Sequence, residues 1–187
     1  QQALRNAMLA FWRHGFEATS ISDLTAAMGV TAPSLYTAFG DKKRLFLEAV
    51  RLYAGDPDEL SRQLDGADTA HEAVRSMLAS AAEAFTAPGM PRGCLLASST
   101  ASVSAAAEDV QRAVADVRAE IMARLAARIS RDVVEGRLPA TTGPDTLAAL
   151  IVATIQGMSV LARDGAARAD LLALSDCAMQ AWPPATA

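Results

Sequence analysis

The sequence contains little cysteine, few aromatic residues and no excess of positive charge. Its 187 residues include two cysteines, Cys94 and Cys177, which are too few for the disulfide framework of a small secreted domain. Aromatic side chains make up 5% of the chain, and the formal net charge is −4. This charge argues against a protein that coats nucleic acid or an anionic membrane over its whole surface. Any contact with nucleic acid must therefore be local. Because the cysteines form no disulfide framework and no charged-apolar-small signal begins the sequence, we expect a cytoplasmic protein.

Motifs of the common enzyme classes are also missing from the sequence. We find no glycine-rich phosphate loop, no G-x-S-x-G and no His/Cys/Asp cluster at metal-ligand spacing. His71 falls in a predicted helix cap, and the hydroxyl run at 98–100 has no neighbouring base. The sequence therefore predicts no catalytic residue, metal or cofactor, and a helical enzyme remains an alternative without a candidate site.

No uninterrupted apolar run is long enough to cross a membrane. The most apolar stretch, 147–161, contains Thr154, Gln156 and Ser159, whereas a spanning helix needs about 20 predominantly apolar residues. We therefore expect this stretch to be a helix of a soluble protein and predict no membrane partner.

Apolar residues recur at helical spacing along the whole chain. They make up 51% of the residues, with no sustained alternation of the kind that marks a strand. The sequence predicts an all-α protein of about nine or ten helices. Gly55-Asp56-Pro57 interrupts one predicted helix and gives the best domain boundary, between 1–54 and 55–187.

The N-terminal part contains two short helices joined by a tight turn. Ser20 and Asp23 have the spacing of a reciprocal N-terminal cap, which places a helix start near Ile21. Gly29 suits the left-handed residue that ends a helix. A second helix is predicted over 32–39, with a threonine cap and a proline in its first turn. Together they predict a helix-turn-helix unit, in which the second helix enters the DNA major groove.

The second helix has hydrogen-bonding side chains on its outer face. They fall away from the predicted buried stripe of Leu35 and Phe39, and are Thr31, Ser34, Tyr36 and Thr37. Because lysine and hydroxyl groups bind phosphate, Lys42, Thr19 and Ser20 are predicted phosphate contacts. The alternative is an ordinary solvated polar face on a small helical pair.

Two long helices near the C-terminus have apolar stripes on more than one face. Such a pair can build half of a four-helix bundle with a second copy across a two-fold axis. The predicted homodimer interface residues are Val117, Ile121, Leu125, Ile151, Ile155 and Met158. The alternative is a monomer that buries both faces itself.

Residues 16–50 resemble the N-terminal DNA-binding domain of the TetR family of bacterial transcription regulators. The similarity is sharpest over GVTAPSLYTAFGDK at 29–42, and Gly93-Cys94-Leu95-Leu96 resembles a short motif of one TetR-like C-terminal group. The resemblance implies a dimeric repressor that binds double-stranded operator DNA and is released by a small molecule. It also assigns base contacts to the outer face of 31–37, with apolar contacts to thymine methyls from Ala32 and Pro33.

The inducer implied by this resemblance is unknown and is expected to be apolar. Residues that could line its pocket are Met77, Phe85, Met90, Cys94, Leu95, Met122, Met158 and Trp182, although such residues also suit an ordinary core. Cys94 could act as a thiol sensor or as inert packing. A protein that organises or occludes DNA without an inducer is a further alternative, favoured if the C-terminal domain lacks a ligand-sized cavity.

Overall fold

The computed structural model describes residues 1–98 and 108–186, apart from the side chain of Pro57. Within these ranges it contains ten α-helices and no strand, which confirms the predicted all-α fold. The sequence pattern predicts that the first of the two long C-terminal helices starts at 106. That start, and residues 99–100 of the hydroxyl run, lie outside the described residues. The helices are α1 (Gln2–His14), α2 (Ile21–Met28), α3 (Ala32–Phe39), α4 (Lys42–Ala54), α5 (Pro57–Asp65), α6 (Ala70–Phe85), α7 (Leu95–Ser98), α8 (Glu108–Val134), α9 (Pro144–Arg163) and α10 (Arg168–Met179).

Helices α1 to α4 are held together by an aromatic cluster. The Phe46 ring meets the Phe11 and Phe16 rings edge-on, at centroid distances of 5.0 and 5.1 Å. Leu24 of α2 and Leu35 of α3 are buried in the same core. Since a fully buried leucine or phenylalanine contributes about 1.5–3 kcal/mol, this cluster fixes the two short helices, which would be marginal alone.

The remaining helices pack around α8 and α9, the two longest in the described chain. Helix α8 packs against α9, and α10 packs against both α6 and α9. Buried Asp132 of α8 accepts a hydrogen bond of 2.6 Å from the backbone amide of Ala70, at the start of α6. It also pairs with buried Arg128 and with Arg137. Burial opposes ionisation of Asp132, but the hydrogen bonds from Ala70 and Arg128 outweigh it and lower the pKa. Asp132 thus fixes α6 to α8.

Three residues of the predicted dimer interface are inside the protomer. Leu125, Ile151 and Met158 have no exposed surface, so their side chains cannot meet a second copy. The apolar surface of α9 lies on the opposite face, where Leu150, Val160 and Leu161 are 41%, 55% and 44% exposed. Leu172 of α10, which packs against α9, is 37% exposed. The remaining predicted residues, Val117, Ile121 and Ile155, are half-buried.

Helix α9 is more apolar than the sequence expectation allowed. Its length and composition would let it cross a membrane, and one third of its most apolar window is buried within the chain. The expectation considered only uninterrupted apolar runs, whereas mean hydropathy tolerates single polar residues. The buried part of α9 packs against α6, α8 and α10, which is the behaviour of a core helix with one uncovered apolar face.

The loop between α6 and α7 packs closely against α9. At Gly93 a Cβ atom would lie 2.7 Å from the Ser159 carbonyl oxygen, so the loop backbone approaches α9 too closely for a side chain. The amide of Cys94 donates to the Ser159 hydroxyl at 2.8 Å. Arg92 donates to the carbonyl oxygens of Ala162 and Ala166, near the C-terminus of α9. A backbone segment is therefore fixed against the helix with the uncovered apolar face.

Candidate nucleic-acid interface

The turn between α2 and α3 is set by local hydrogen bonds that the sequence predicts. Ser20 and Asp23 form the reciprocal cap of α2, and hydrogen bonds from Ser20 lower the pKa of Asp23. Gly29 ends α2 in the left-handed conformation, with φ 68°. Thr31 caps α3, its hydroxyl lying 2.9 Å from that of Ser34. These contacts orient α3 relative to α2 independently of any partner.

The four predicted base contacts lie together on the exposed surface of α3. Thr31, Ser34, Tyr36 and Thr37 are exposed, whereas Leu35 between them is 1% exposed and belongs to the core. The Tyr36 side chain is 47% exposed, which is unusual for a large aromatic residue. Pro33 is also exposed and Ala32 half-buried. The arrangement gives α3 a surface of hydroxyl groups and one phenol, the donors and acceptors that base edges and phosphates require.

Two of the predicted phosphate contacts are placed differently from what the sequence suggested. Thr19 is fully buried, and its hydroxyl donates to the Gly15 carbonyl oxygen at 2.6 Å. Thr19 therefore has no surface with which to contact DNA, and its role is to tie the end of α1 to the start of α2. Ser20 is exposed, but its hydroxyl and amide are both engaged with Asp23 in the helix cap.

Lys42 is held against the protein. Its ammonium group lies 4.7 Å above the centroid of the Phe16 ring and donates to the Glu17 carbonyl oxygen at 3.3 Å. Burial lowers the pKa of Lys42, while the Glu17 and Asp23 carboxylates oppose that shift. The neighbouring Lys43 pairs with Asp109 of α8 at 2.9 Å. A phosphate contact by Lys42 therefore replaces or shares an existing internal bond.

Three polar residues near α3 were missed by the sequence prediction. Ser22 and Thr25 of α2 line an open groove together with Gly29, Thr31 and Ser34. Both lie outside the buried stripe of Leu24 and Met28, and this position is visible in the sequence and could have indicated them. Arg44, the third basic residue at the start of α4, is exposed and has no ion pair among residues 1–98 and 108–186.

The predicted ligand-binding residues do not meet in one cavity. Phe85, Cys94, Leu95 and Met158 are buried in the core, and Met122 is half-buried against it. Met90 lines a cleft with Trp12 and Tyr53, and Trp182 lines another with His71. Met77 lines a third, together with Val117 and Ile121 of α8. The set is therefore divided between core packing and three separate openings.

The third opening is an apolar cavity of about 460 Å³ between α4, α5, α6 and α8. Its inner wall consists of Leu60, Met77, Val117 and Ile121, and Ala54 and Gly55 at the end of α4 form one side. The volume falls in the range of small-molecule sites, about 300–1,000 Å³. Its position places any occupant in contact with the last turn of α4, whose first turn adjoins α3.

Cys94 is 7% exposed. Its thiol lies beside the Tyr53 hydroxyl, and its amide donates to the Ser159 hydroxyl. Burial raises the pKa of the Tyr53 phenol, and the adjacent Cys94 raises it further. Cys94 thus lies between α4 and α9, while Cys177 is exposed on α10.

Helices α2 and α3, with a tight glycine turn and an exposed polar α3, define a helix-turn-helix protein. Residues 3–49 match the family model described as bacterial regulatory proteins, tetR family. Residues 47–171 match the model of the tetracyclin repressor-like C-terminal domain. The chain belongs to the TetR family.

Proteins that are similar over nearly the full length of the chain are also named as transcription regulators. The HTH-type transcriptional repressor ComR of Escherichia coli (strain K12) is 32% identical, covering 97% of this chain and 87% of ComR. A solved structure of a cysteine mutant of the TetR family regulator CifR, complexed with 26bp double-strand operator DNA, is 37% identical. It has a TM-score of 0.92 and covers 97% of this chain and 95% of CifR. A regulator from Chloroflexus aurantiacus, at 22% identity, shares the fold with a TM-score of 0.85, covering 99% of this chain and 95% of its own.

Proposed function

We propose that this protein is a transcriptional repressor that binds operator DNA as a homodimer and releases it when a small molecule binds. The observation that carries the proposal is the exposed α3 surface of Thr31, Ser34, Tyr36 and Thr37 beside buried Leu35. Similarity to the repressor ComR and to CifR in complex with operator DNA supports it. Because operator DNA lies in the bacterial cytoplasm, we place the protein there, with no membrane partner.

The proposed DNA-binding and ligand-binding parts of the chain meet at the break after α4. Residues 1–54 bind DNA, with Tyr36 and its neighbours contacting base edges, Ala32 and Pro33 contacting thymine methyls, and Ser20, Lys42 and Arg44 contacting phosphates. Residues 55–187 bind the small molecule and form the dimer. Gly55 separates the two parts and has φ 73°, which ends α4 abruptly. A helix-turn-helix protein needs two such units to bind two half-sites, so dimerisation is part of the function.

The proposed dimer interface is the uncovered apolar face of α9 and α10. Leu150, Val160 and Leu161 are each 41–55% exposed, and Ala153 and Gly157 between them allow close approach of a second helix. A helix this apolar is expected to be covered, since burying a full leucine is worth about 1.5–3 kcal/mol. Packing α9 and α10 against their copies gives a four-helix, two-fold arrangement, whereas the sequence prediction built such a bundle from α8 and α9.

The cavity between α4, α5, α6 and α8 favours a ligand-responsive regulator over a protein that only organises or occludes DNA. A solid core would have favoured the latter. The family of the chain consists of transcriptional regulators, so an enzyme is not proposed. The cavity also adjoins Ala54 and Gly55, so an occupant can displace α4 and change the separation of the two α3 helices in a dimer.

The test is to select genomic DNA fragments that the purified protein binds, and then to measure the affinity of variants for the selected operator. Tyr36→Ala removes one predicted contact from each half-site, and each good base contact is worth about 1–3 kcal/mol. We therefore expect operator affinity to fall at least about tenfold, with little change in affinity for random DNA.

Leu52→Ala is the matched control. Leu52 is 45% exposed, close to the 47% of Tyr36, but it lies on α4, away from the α3 surface. The variant should bind the operator as the original protein does. Equal affinities of the Tyr36→Ala and Leu52→Ala variants would contradict the proposed interface, and the absence of any selected fragment would contradict the proposed function.

A further inference from the structure

An ion pair joins the first turn of α4 to the first turn of α8. The Lys43 ammonium group donates to both carboxylate oxygens of Asp109, at 2.9 and 3.1 Å. The two residues are 66 positions apart in the sequence, and they lie in the proposed DNA-binding and ligand-binding parts of the chain. The hydrogen bond from Lys43 lowers the pKa of Asp109, so the carboxylate is ionised at neutral pH. The pair therefore links the two parts at the end of α4 that adjoins α3.

Helices α4 and α8 pack side by side and run in the same direction. At the far end of α4, Ala54 and Gly55 line the same cavity as Glu120 of α8. The number of residues from Lys43 to Ala54 equals the number from Asp109 to Glu120, and that spacing corresponds to about 16 Å of helix. Helix α8 therefore lies along the whole of α4, with the ion pair at one end and the cavity at the other.

The position of this ion pair gives it leverage over α3. With a lever of about 16 Å, a tilt of α4 by about 10° around its Gly55 end moves its first turn by about 3 Å. That displacement is close to the rise of about 3.4 Å for one base pair of DNA. The tilt is restrained less at the Gly55 end, where α4 borders an open cavity. The contact between Lys43 and Asp109 acts where the displacement is largest.

A direct phosphate contact is the alternative role for Lys43, whose side chain is 40% exposed. Both oxygens of Asp109 already accept hydrogen bonds from Lys43. A phosphate bound to Lys43 would either break this pair or lie close to the Asp109 carboxylate, where like charges repel each other. The geometry therefore favours an intramolecular role.

We propose that Lys43 is a positioning residue for operator binding, because its ion pair with Asp109 holds α4 and α3 at the tilt that spaces the two α3 helices of a dimer for two half-sites. The inference rests on the proposed function, since it requires a dimer that binds operator DNA. The whole chain, with this ion pair formed, has a TM-score of 0.92 with CifR in complex with operator DNA, which supports the paired tilt as the competent one. Without the pair α4 samples other tilts, and affinity falls in proportion to the competent fraction.

Charge variants separate a positioning role from a phosphate contact. Asp109→Lys breaks the pair but adds positive charge, which by itself raises affinity for any DNA. An exposed ion pair biases an equilibrium by about 1.4- to fivefold, and a dimer contains two such pairs. We therefore expect Asp109→Lys to bind the operator about twofold to thirtyfold more weakly than the original protein, with no loss of affinity for random DNA. A phosphate contact by Lys43 predicts the opposite sign.

The reversed pair completes the cycle. Lys43→Glu should also weaken operator binding, and the double variant with Asp109→Lys should bind the operator more tightly than either single variant. If Lys43 contacted a phosphate, the double variant would bind more weakly than Asp109→Lys alone. Circular dichroism checks that each variant folds. Asp109→Asn, which loses only the charge, replaces Asp109→Lys if the latter does not fold.

Asp116→Lys is the matched control. Asp116 is exposed on the same helix, about two turns beyond Asp109, and its replacement makes the same change of charge without touching the pair. This variant should bind the operator at least as tightly as the original protein. All affinities are measured with the full chain, on the selected operator and on random DNA of equal length.

Operator affinity of Asp109→Lys that equals or exceeds that of the original protein would overturn the inference and leave the proposed function. A double variant that binds no better than both single variants, or an equal loss in Asp116→Lys, would also overturn it. If the original protein selects no operator at all, the proposed function fails and this inference fails with it.

Discussion

The close approach of the α6–α7 loop to α9 can be tested with a single methyl group. At Gly93 an added Cβ would lie 2.7 Å from the Ser159 carbonyl oxygen and 2.8 Å from Cγ of Arg163. Both distances are shorter than real Cβ contacts, so the loop must move. Movement would also stretch the 2.8 Å hydrogen bond from the Cys94 amide to the Ser159 hydroxyl. Gly93→Ala should therefore destabilise the protein through both overpacking and a weakened hydrogen bond.

Gly89 provides a matched control within the same loop. Both glycines have φ 77°, but a Cβ at Gly89 would meet no atom within 4 Å. Gly89→Ala therefore carries the cost of positive φ alone, about 1–2 kcal/mol. Gly93→Ala carries that cost plus about 1–3 kcal/mol for overpacking and about 1 kcal/mol for the weakened hydrogen bond. The difference between the variants should be about 2–4 kcal/mol.

Thermal and urea unfolding followed by circular dichroism measure this difference. For a chain of this size, about 2–4 °C of Tm corresponds to each kcal/mol, so Gly93→Ala should melt roughly 4–16 °C below Gly89→Ala. Protein concentration must be equal, because the proposed dimerisation would make Tm concentration-dependent. Equal destabilisation of the two variants would refute the close-approach argument, since the only cost they share is backbone strain.

Three further outcomes follow from other contacts. Leu161→Arg should weaken the proposed dimer by about 2 kcal/mol or more, because the 44% of Leu161 that is exposed in one protomer would be buried in both copies of the dimer. Sedimentation measures the change, and the control is Val134→Arg, at a residue that is 83% exposed on α8, which should sediment as the original protein does. Asp132→Asn should cost about 3–5 kcal/mol by leaving a buried arginine uncompensated. Since the pKa of Asp132 is lowered in the folded protein, the stability that Asp132 contributes is complete above its unfolded pKa of about 3.9 and is lost as pH falls through the lowered value. The stabilities of the original protein and of Asp132→Asn should therefore converge at acid pH. A constant difference in stability would count against the ionised Asp132 as the stabilising group. Lys43→Glu and Asp109→Lys should each lower stability by about 0.2–1 kcal/mol and together restore it, since the pair is exposed; additive losses in a double-mutant cycle would exclude the ion pair.

Helix α3 was predictable because its geometry is local. A capping serine and aspartate, a glycine at positive φ, and a threonine before a proline act over three or four residues. Sequence patterns of that length determined the bounds of α3 and its exposed side chains. The placements of Thr19 and Lys42 were not predictable in the same way. Each depends on where the end of α1 lies, since their hydrogen bonds go to Gly15 and Glu17.

The C-terminal helices show a different limit of sequence reasoning. Helix α9 has apolar residues on both faces, and a hydrophobic stripe does not indicate which face the protomer covers. The prediction chose Ile151 and Met158 for the interface, whereas the chain buries them and leaves Leu150 and Leu161 uncovered. The cavity between α4, α5, α6 and α8 was missed for a related reason. An empty volume arises where the side chains of several helices do not fill the space between them, and no single segment encodes it.

The internal bonds of Lys42 and Lys43 have a consequence for the response of operator binding to salt. Affinity for duplex DNA falls with a slope of about −0.9 per phosphate neutralised, because each bound cation releases condensed counterions. Of the three consecutive cations at the start of α4, Lys43 is paired with Asp109, whereas Lys42 keeps its positive charge because the Phe16 ring and the Glu17 carbonyl oxygen are not anions. An α3 surface of hydroxyls and a phenol releases few counterions. Operator binding should therefore depend on ionic strength mainly through the proposed phosphate contacts of Lys42 and Arg44, and the contacts that distinguish one sequence from another should supply a correspondingly larger share of the affinity.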